Sequence, residues 1–115
     1  MTKRSLKKMW LAALAALLFP LAARAEVDKK AERQGKTKCA SCHGADGKGQ
    51  TEQGQKAGLS DMTTAAWQSA HSDAQIKTAI TDGVKGKKGE MESFKEKLPP
   101  EQIDSLVAYL RSIKA

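Results

Sequence analysis

The sequence predicts a small all-α domain with long loops, and three observations carry that prediction. The C-terminal segment repeats its apolar residues at helical spacing. No stretch alternates apolar and polar side chains over a useful strand length, and glycine-rich segments separate the helical ones. Taken in order, Val27 to Lys38 is rich in charged helix formers and reads as a short helix interrupted by Gly35. It runs into Cys39-Ala40-Ser41-Cys42-His43 and stops at Gly44. From Gly44 to Ser60, five glycines and hardly an apolar side chain predict a loop, and loops of that length in a compact domain are usually functional. Asp61 to Ser69 reads as a short helix around Met62, Ala66 and Trp67. Ser72-Asp73-Ala74-Gln75 is a capping-box pattern that opens a helix with Ile76 and Ile80 on one face, and Gly83 suits its C-terminal end. Val84 to Glu90 is a second loop, of Gly and Lys, followed by Met91 and Phe94. Pro99-Pro100 opens the last helix, with Pro100 suited to the first helical position and Glu101 to the first turn. Ile103, Leu106, Val107 and Leu110 then fall at i, i+3, i+4 and i+7.

Residues 1–25 read as a cleaved secretory signal peptide. Lys3, Arg4, Lys7 and Lys8 precede an apolar run from Met9 to Phe19, Pro20 breaks it, and Ala23-Arg24-Ala25 places small residues at −3 and −1. The run is 11 residues, whereas a membrane-spanning helix needs about 20. Cleavage before Glu26 and export to a bacterial periplasm are therefore expected, leaving 26–115 as one domain without a membrane span. Removing the leader's five Lys/Arg and no acid takes the formal charge from +7 to +2. At that charge nucleic acid is not an expected partner.

What remains has a thin core. Leu, Ile, Val and Phe number 12 of 90 residues, below the roughly 20% at which a chain begins to resemble a disordered one. This composition excludes several domains, a membrane bundle and a self-sufficient enzyme core. Something other than side chains must fill the middle.

Both cysteines lie in Cys39-Ala40-Ser41-Cys42-His43, and Cys-x-x-Cys-His is the attachment signature of a c-type haem. Near a helix end, Cys39 and Cys42 are three apart on one face, so both thiols reach the two vinyl groups of a porphyrin. His43, four from Cys39, shares that face and can place its imidazole on the iron. Three other readings compete. A disulfide between Cys39 and Cys42 is permitted in an oxidising compartment. A thioredoxin-like redox pair lacks its βαβ surroundings. Zinc would have to use Cys39, Cys42, His43 and His71, but adjacent Cys42 and His43 fit no usual zinc spacing. One covalent haem c is the reading favoured, and its apolar surface supplies the missing core.

At these residues the chain resembles the class I c-type cytochromes, across essentially all of 26–115. The resemblance rests on Cys39-Ala40-Ser41-Cys42-His43-Gly44, on Ala45-Asp46-Gly47-Lys48-Gly49, on Gly89-Glu90-Met91-Glu92-Ser93-Phe94 and on the closing helix from Ile103 to Ile113. It implies a small cytochrome c fold of three to four helices wrapped around one haem, in which the first and last helices cross and a Met loop covers the far face. Gly35 and Tyr109 match the family's crossing point. Three departures stand out. Thr37 and Lys38 precede Cys39 where the family often has an aromatic in the first helix. Glu92 replaces the proline after the ligand Met. The loop proline whose carbonyl orients the proximal His is also replaced, with Ala57 the candidate for its place.

Few residues compete for the sixth iron position, because the mature chain holds only Met62, Met91 and His71 beyond His43. Met91 follows Gly86 and Gly89 in a loop close to the last helix, which suits delivery from the opposite side; its other reading is a core methionine beside Phe94. Met62 lies at helical spacing from Leu59, Ala65 and Ala66, which favours core packing. His71 precedes a helix cap and reads as a surface histidine. Trp67 is the candidate contact for a haem propionate, since a buried indole N–H seeks an acceptor; an ordinary place in the core is its alternative.

A haem iron held by His43 and Met91 has no open position for substrate. The expected function is therefore a periplasmic, monomeric single-electron carrier between larger redox proteins, and not an enzyme. Lys85, Lys87 and Lys88 before Met91, with Lys95 and Lys97 after it, would steer toward acidic docking surfaces, although Glu90, Glu92 and Glu96 dilute the patch. Two alternatives stand beside this one: a haem-bearing subunit of a dehydrogenase or oxidase complex, and a small haem enzyme or gas sensor with a labile sixth ligand. Because the core is built around the cofactor, the mature chain without haem should be largely unfolded. A native-like far-ultraviolet circular dichroism spectrum of the apo form would refute this.

Overall fold

The computed structural model describes residues 27–115; the leader and its cleavage site lie outside the described residues. Asp28 starts the first helix, α1 (Lys29–Lys38), by accepting a hydrogen bond from the Lys30 amide at 2.9 Å. The last helix, α6 (Pro100–Ser112), begins with proline at its first position, where a missing N–H costs nothing. Between them, α5 (Asp73–Asp82) carries the full capping box: the Gln75 amide donates to the Ser72 hydroxyl and the Gln75 side chain accepts from the Ser72 amide. These three are the long helices. α6 is the common partner, crossed by α1 on one side and packed by α5 on another.

The core is where these helices meet. Ile103, Leu106 and Val107 of α6 are buried with Ile76 and Ile80 of α5 and with Phe94 and Leu98 from the segment before α6. Tyr109 is buried too, whereas Leu110, on the expected apolar stripe, is only half-buried. Leu110 faces an open cavity, whereas Tyr109 is covered by the crossing of α1. Gly35 does not interrupt α1; it is buried in it, and a Cβ there would come within 2.4 Å of the Tyr109 ring. The tyrosine lies where a side chain would be.

Three further helices are short. α2 (Ala40–His43) follows α1 after a one-residue break at Cys39. The segment expected as loop from Gly44 to Ser60 contains α3 (Glu52–Ala57), started by Thr51, whose hydroxyl oxygen accepts from the Gly54 amide at 2.9 Å. α4 (Ala65–Ala70) begins four residues later than Asp61, because Asp61 ties the Thr63 amide into a turn and Thr64 is the true N-cap, accepting from the Trp67 amide. Against the three to four helices implied, the described residues hold three long helices and three short ones. The second Gly/Lys loop holds a two-stranded antiparallel ribbon, β1 (Val84–Lys85) and β2 (Glu90–Met91), pairing Val84 with Met91 and Lys85 with Glu90. Two-residue strands leave no alternation to read in a sequence.

The crossing yields a test. Alanine in place of glycine inside a helix ordinarily stabilises by up to about 1 kcal/mol. At Gly35 the Tyr109 contact should reverse the sign, and Gly35→Ala is expected to destabilise the folded holoprotein by about 1–3 kcal/mol. Urea unfolding followed by circular dichroism would read this as a lower midpoint at unchanged slope.

Candidate haem site

Cys39 ends α1 and begins α2, so the attachment motif is a helical turn mounted directly on the crossing helix. Its amides bond within the turn: His43 to the Cys39 carbonyl at 2.9 Å and Gly44 to the Ala40 carbonyl at 2.9 Å. The last carbonyls of a helix need partners from elsewhere, and here the following chain supplies them. The Thr51 hydroxyl donates to the Cys42 carbonyl at 2.6 Å, and the Gly49 amide donates to the His43 carbonyl at 2.7 Å. The glycine-rich stretch after His43 is therefore a bracket that holds the turn.

The turn faces a largely apolar cavity of about 680 Å³, within the roughly 300–1,000 Å³ range of cofactor sites. Cys39, Cys42 and His43 line it from α2, Trp67 and His71 from α4 and its C-terminal cap, and Met91 from β2. The structure thus brings all five sequence-predicted site residues, Cys39, Cys42, His43, Trp67 and Met91, to one cavity. Cys39 and Cys42 are half-buried and not joined to each other. Among the described residues no group of three or more His, Cys, Asp or Glu is placed to hold a metal ion by itself, so the zinc arrangement with His71 does not form.

Burial pushes the Cys39 thiol above its usual range, with the nearby Glu92 carboxylate adding to the shift. Burial lowers the pKa of His43 and keeps it neutral, the form in which an imidazole ligates a metal. Its Nδ1 is enclosed and without a hydrogen-bond partner. Ala57, the candidate for the place of the missing loop proline, ends α3 and lines the cavity, and no carbonyl bonds this nitrogen. The ring is held by the turn and by packing. Two thiols, a neutral imidazole and a thioether around one apolar space fit a covalently attached haem.

Two placements differ from expectation. His71 is not a surface residue: it is half-buried, stacks on Trp67 with ring centroids 4.6 Å apart, and bonds the Trp67 carbonyl through Nδ1 at 2.9 Å. Met62 is buried, as core packing requires, but also contributes to the cavity wall. Trp67 packs on the core and also lines the cavity.

Sequence reasoning missed Gln68 and Arg111. Buried Gln68 donates to the carbonyls of Met62, at 2.7 Å, and Leu110, at 2.9 Å. Arg111 donates to the carbonyls of Gln68 and His71 and to the Asp73 carboxylate. Together they fasten the Trp67–His71 wall to α6. Polar residues in helices ordinarily read as solvent-facing, so only their partners, some forty positions away, reveal them.

The sequence matches a family model for cytochrome c over residues 29–114. No curated protein matches it. Among solved structures, the chain is similar to the KustC0563 c-type cytochrome, at 34% identity and a TM-score of 0.65, with 74% of this chain and 98% of that one covered.

Proposed function

The chain belongs to the cytochrome c family, with a covalent haem c and electron transfer as its business, and from that premise we propose a periplasmic, monomeric single-electron carrier with His43 and Met91 on the iron. The observation that carries the proposal is Met91. Its thioether lines the same cavity as His43 but is borne by a different part of the fold, β2 beside the end of α5. That separation is what a sixth ligand delivered from the far face requires.

The haem supplies a one-electron change at its iron, and the chain's residues define the conditions for it. Cys39 and Cys42 tether the macrocycle to α2. His43 stays neutral through burial. A thioether from Met91 favours the reduced state relative to a second imidazole and raises the potential. With both positions taken by the chain there is no vacant site for a substrate, which supports a carrier over an enzyme. The apolar lining from α5 and α6 keeps water from the iron. Among the described residues, no helix is long and apolar enough to cross a membrane.

Docking follows from the ribbon. Lys85, Lys87 and Lys88 are exposed and make no ion pair among the described residues, whereas Lys97 is paired with Glu92. Val84 beside them is the large apolar side chain left 46% exposed, and Val84, Gly86 and Gly89 line the cavity. An apolar contact ringed by lysines at the cavity mouth suits a redox partner with an acidic rim.

Three measurements test the reading. The oxidised protein should show the iron–thioether charge-transfer band, and Met91→Ala should abolish it; persistence of the band would move the ligand to Met62. Rapid CO binding to the reduced wild type would instead point to a vacant or labile site and to an enzyme or sensor. Lys87→Glu with Lys88→Glu should slow electron transfer to an acidic partner by about tenfold at low salt, with the difference vanishing at high salt. Equal wild-type rates at low and high ionic strength would remove the steering role.

A further inference from the structure

The backbone that follows Met91 is seated on the end of α5. The last carbonyls of a helix have no partner within it, and two of those on α5 are taken by this segment. The Ile80 carbonyl accepts from the Phe94 amide at 3.0 Å. The Thr81 carbonyl accepts twice, from the Lys95 amide at 3.1 Å and from the Ser93 hydroxyl at 2.6 Å. Gly83, at a φ of +76°, makes the approach possible: a Cβ there would lie 2.6 Å from the Met91 carbonyl and 2.9 Å from the Ser93 amide. Phe94 is anchored in the core, but Met91 stands three residues before it. Between the two, Glu92 pairs only with exposed Lys97, a kind of contact worth little. Ser93 is the side chain that ties this interval to α5.

We propose that Ser93, through its hydroxyl on the Thr81 carbonyl, is a positioning residue that sets how firmly Met91 holds the haem iron. The proposal rests on the His43/Met91 reading. Met91 exchanges between a seated position and one lifted from the iron, and the Ser93 bond favours the seated one. An external ligand that takes the vacated position binds with an apparent affinity proportional to the lifted fraction. Loss of one hydrogen bond should raise that fraction by roughly three- to tenfold.

Imidazole titration of the ferric holoprotein tests this directly, with the charge-transfer band as a second readout. Ser93→Ala is expected to bind imidazole roughly three- to tenfold tighter than wild type, with the far-ultraviolet spectrum unchanged, and Ser93→Thr should restore wild-type affinity. Ser105→Ala, which removes an α6 hydroxyl bonded to the Glu101 carbonyl, should leave affinity unaltered. Wild-type affinity in Ser93→Ala, or an equal rise in Ser105→Ala, would overturn the proposal. Met91→Ala separates the two levels. If it binds imidazole much more tightly while Ser93→Ala does not, the clip alone is wrong. If it binds no more tightly than wild type, Met91 is not the displaced ligand and the ligation reading fails with it.

Discussion

The contact between Gly35 and the Tyr109 ring sets the rest of the molecule in place. A helix whose side chains are mostly charged has little with which to hold another helix, and α1 solves this by bringing its backbone to the tyrosine face. The two helices then lie close enough for α6 to bury its apolar stripe against α5 as well. Because α2 continues from α1 after Cys39, the crossing also sets where the two thiols and His43 stand relative to the core. A domain with so few large apolar residues depends on one close approach, and on a cofactor to fill the space that the approach leaves open.

Helix ends do much of the remaining work. The carbonyls of Cys42 and His43 recruit Thr51 and Gly49, which turns a glycine-rich segment into a bracket around the attachment turn. The carbonyls of Ile80 and Thr81 recruit the chain after Met91. The carbonyl of Leu110 accepts from Gln68 and, with Arg111, draws the Trp67 wall onto α6. In each case an unsatisfied backbone acceptor meets a loop or short helix that would otherwise have no reason to stay. Short helices and two-residue strands that could not persist alone are held in this way around a single cavity.

The charges follow the same division of labour. Those on α1 and α3 pair along their own helices, as Lys36 does with Glu32 and Lys56 with Glu52. Those on α5 and α6 join neighbouring elements, through Lys77 with Asp104 and Arg111 with Asp73. The ribbon lysines at the cavity mouth do neither, which leaves them available to the field that a partner would meet.

The all-α class, the capping box at Ser72, the proline start of α6, the Gly35–Tyr109 crossing and the haem c attachment signature at Cys39 and Cys42 were legible in the amino-acid sequence. Each depends on residue types at short, fixed spacing, or on a resemblance that such spacing carries. What the sequence could not show depends on partners far apart in the chain. The burial of Gly35 against the Tyr109 ring, the clamp made by Gln68 and Arg111, and the missing acceptor at His43 Nδ1 all depend on which groups come within reach after folding. Local pattern determined the long helices and the chemistry of attachment, but not α3 or the ribbon, which lie in segments that read as loop. Only the tertiary structure decided how the cavity is walled, because hydrogen-bond geometry acts through space and leaves no period in the sequence.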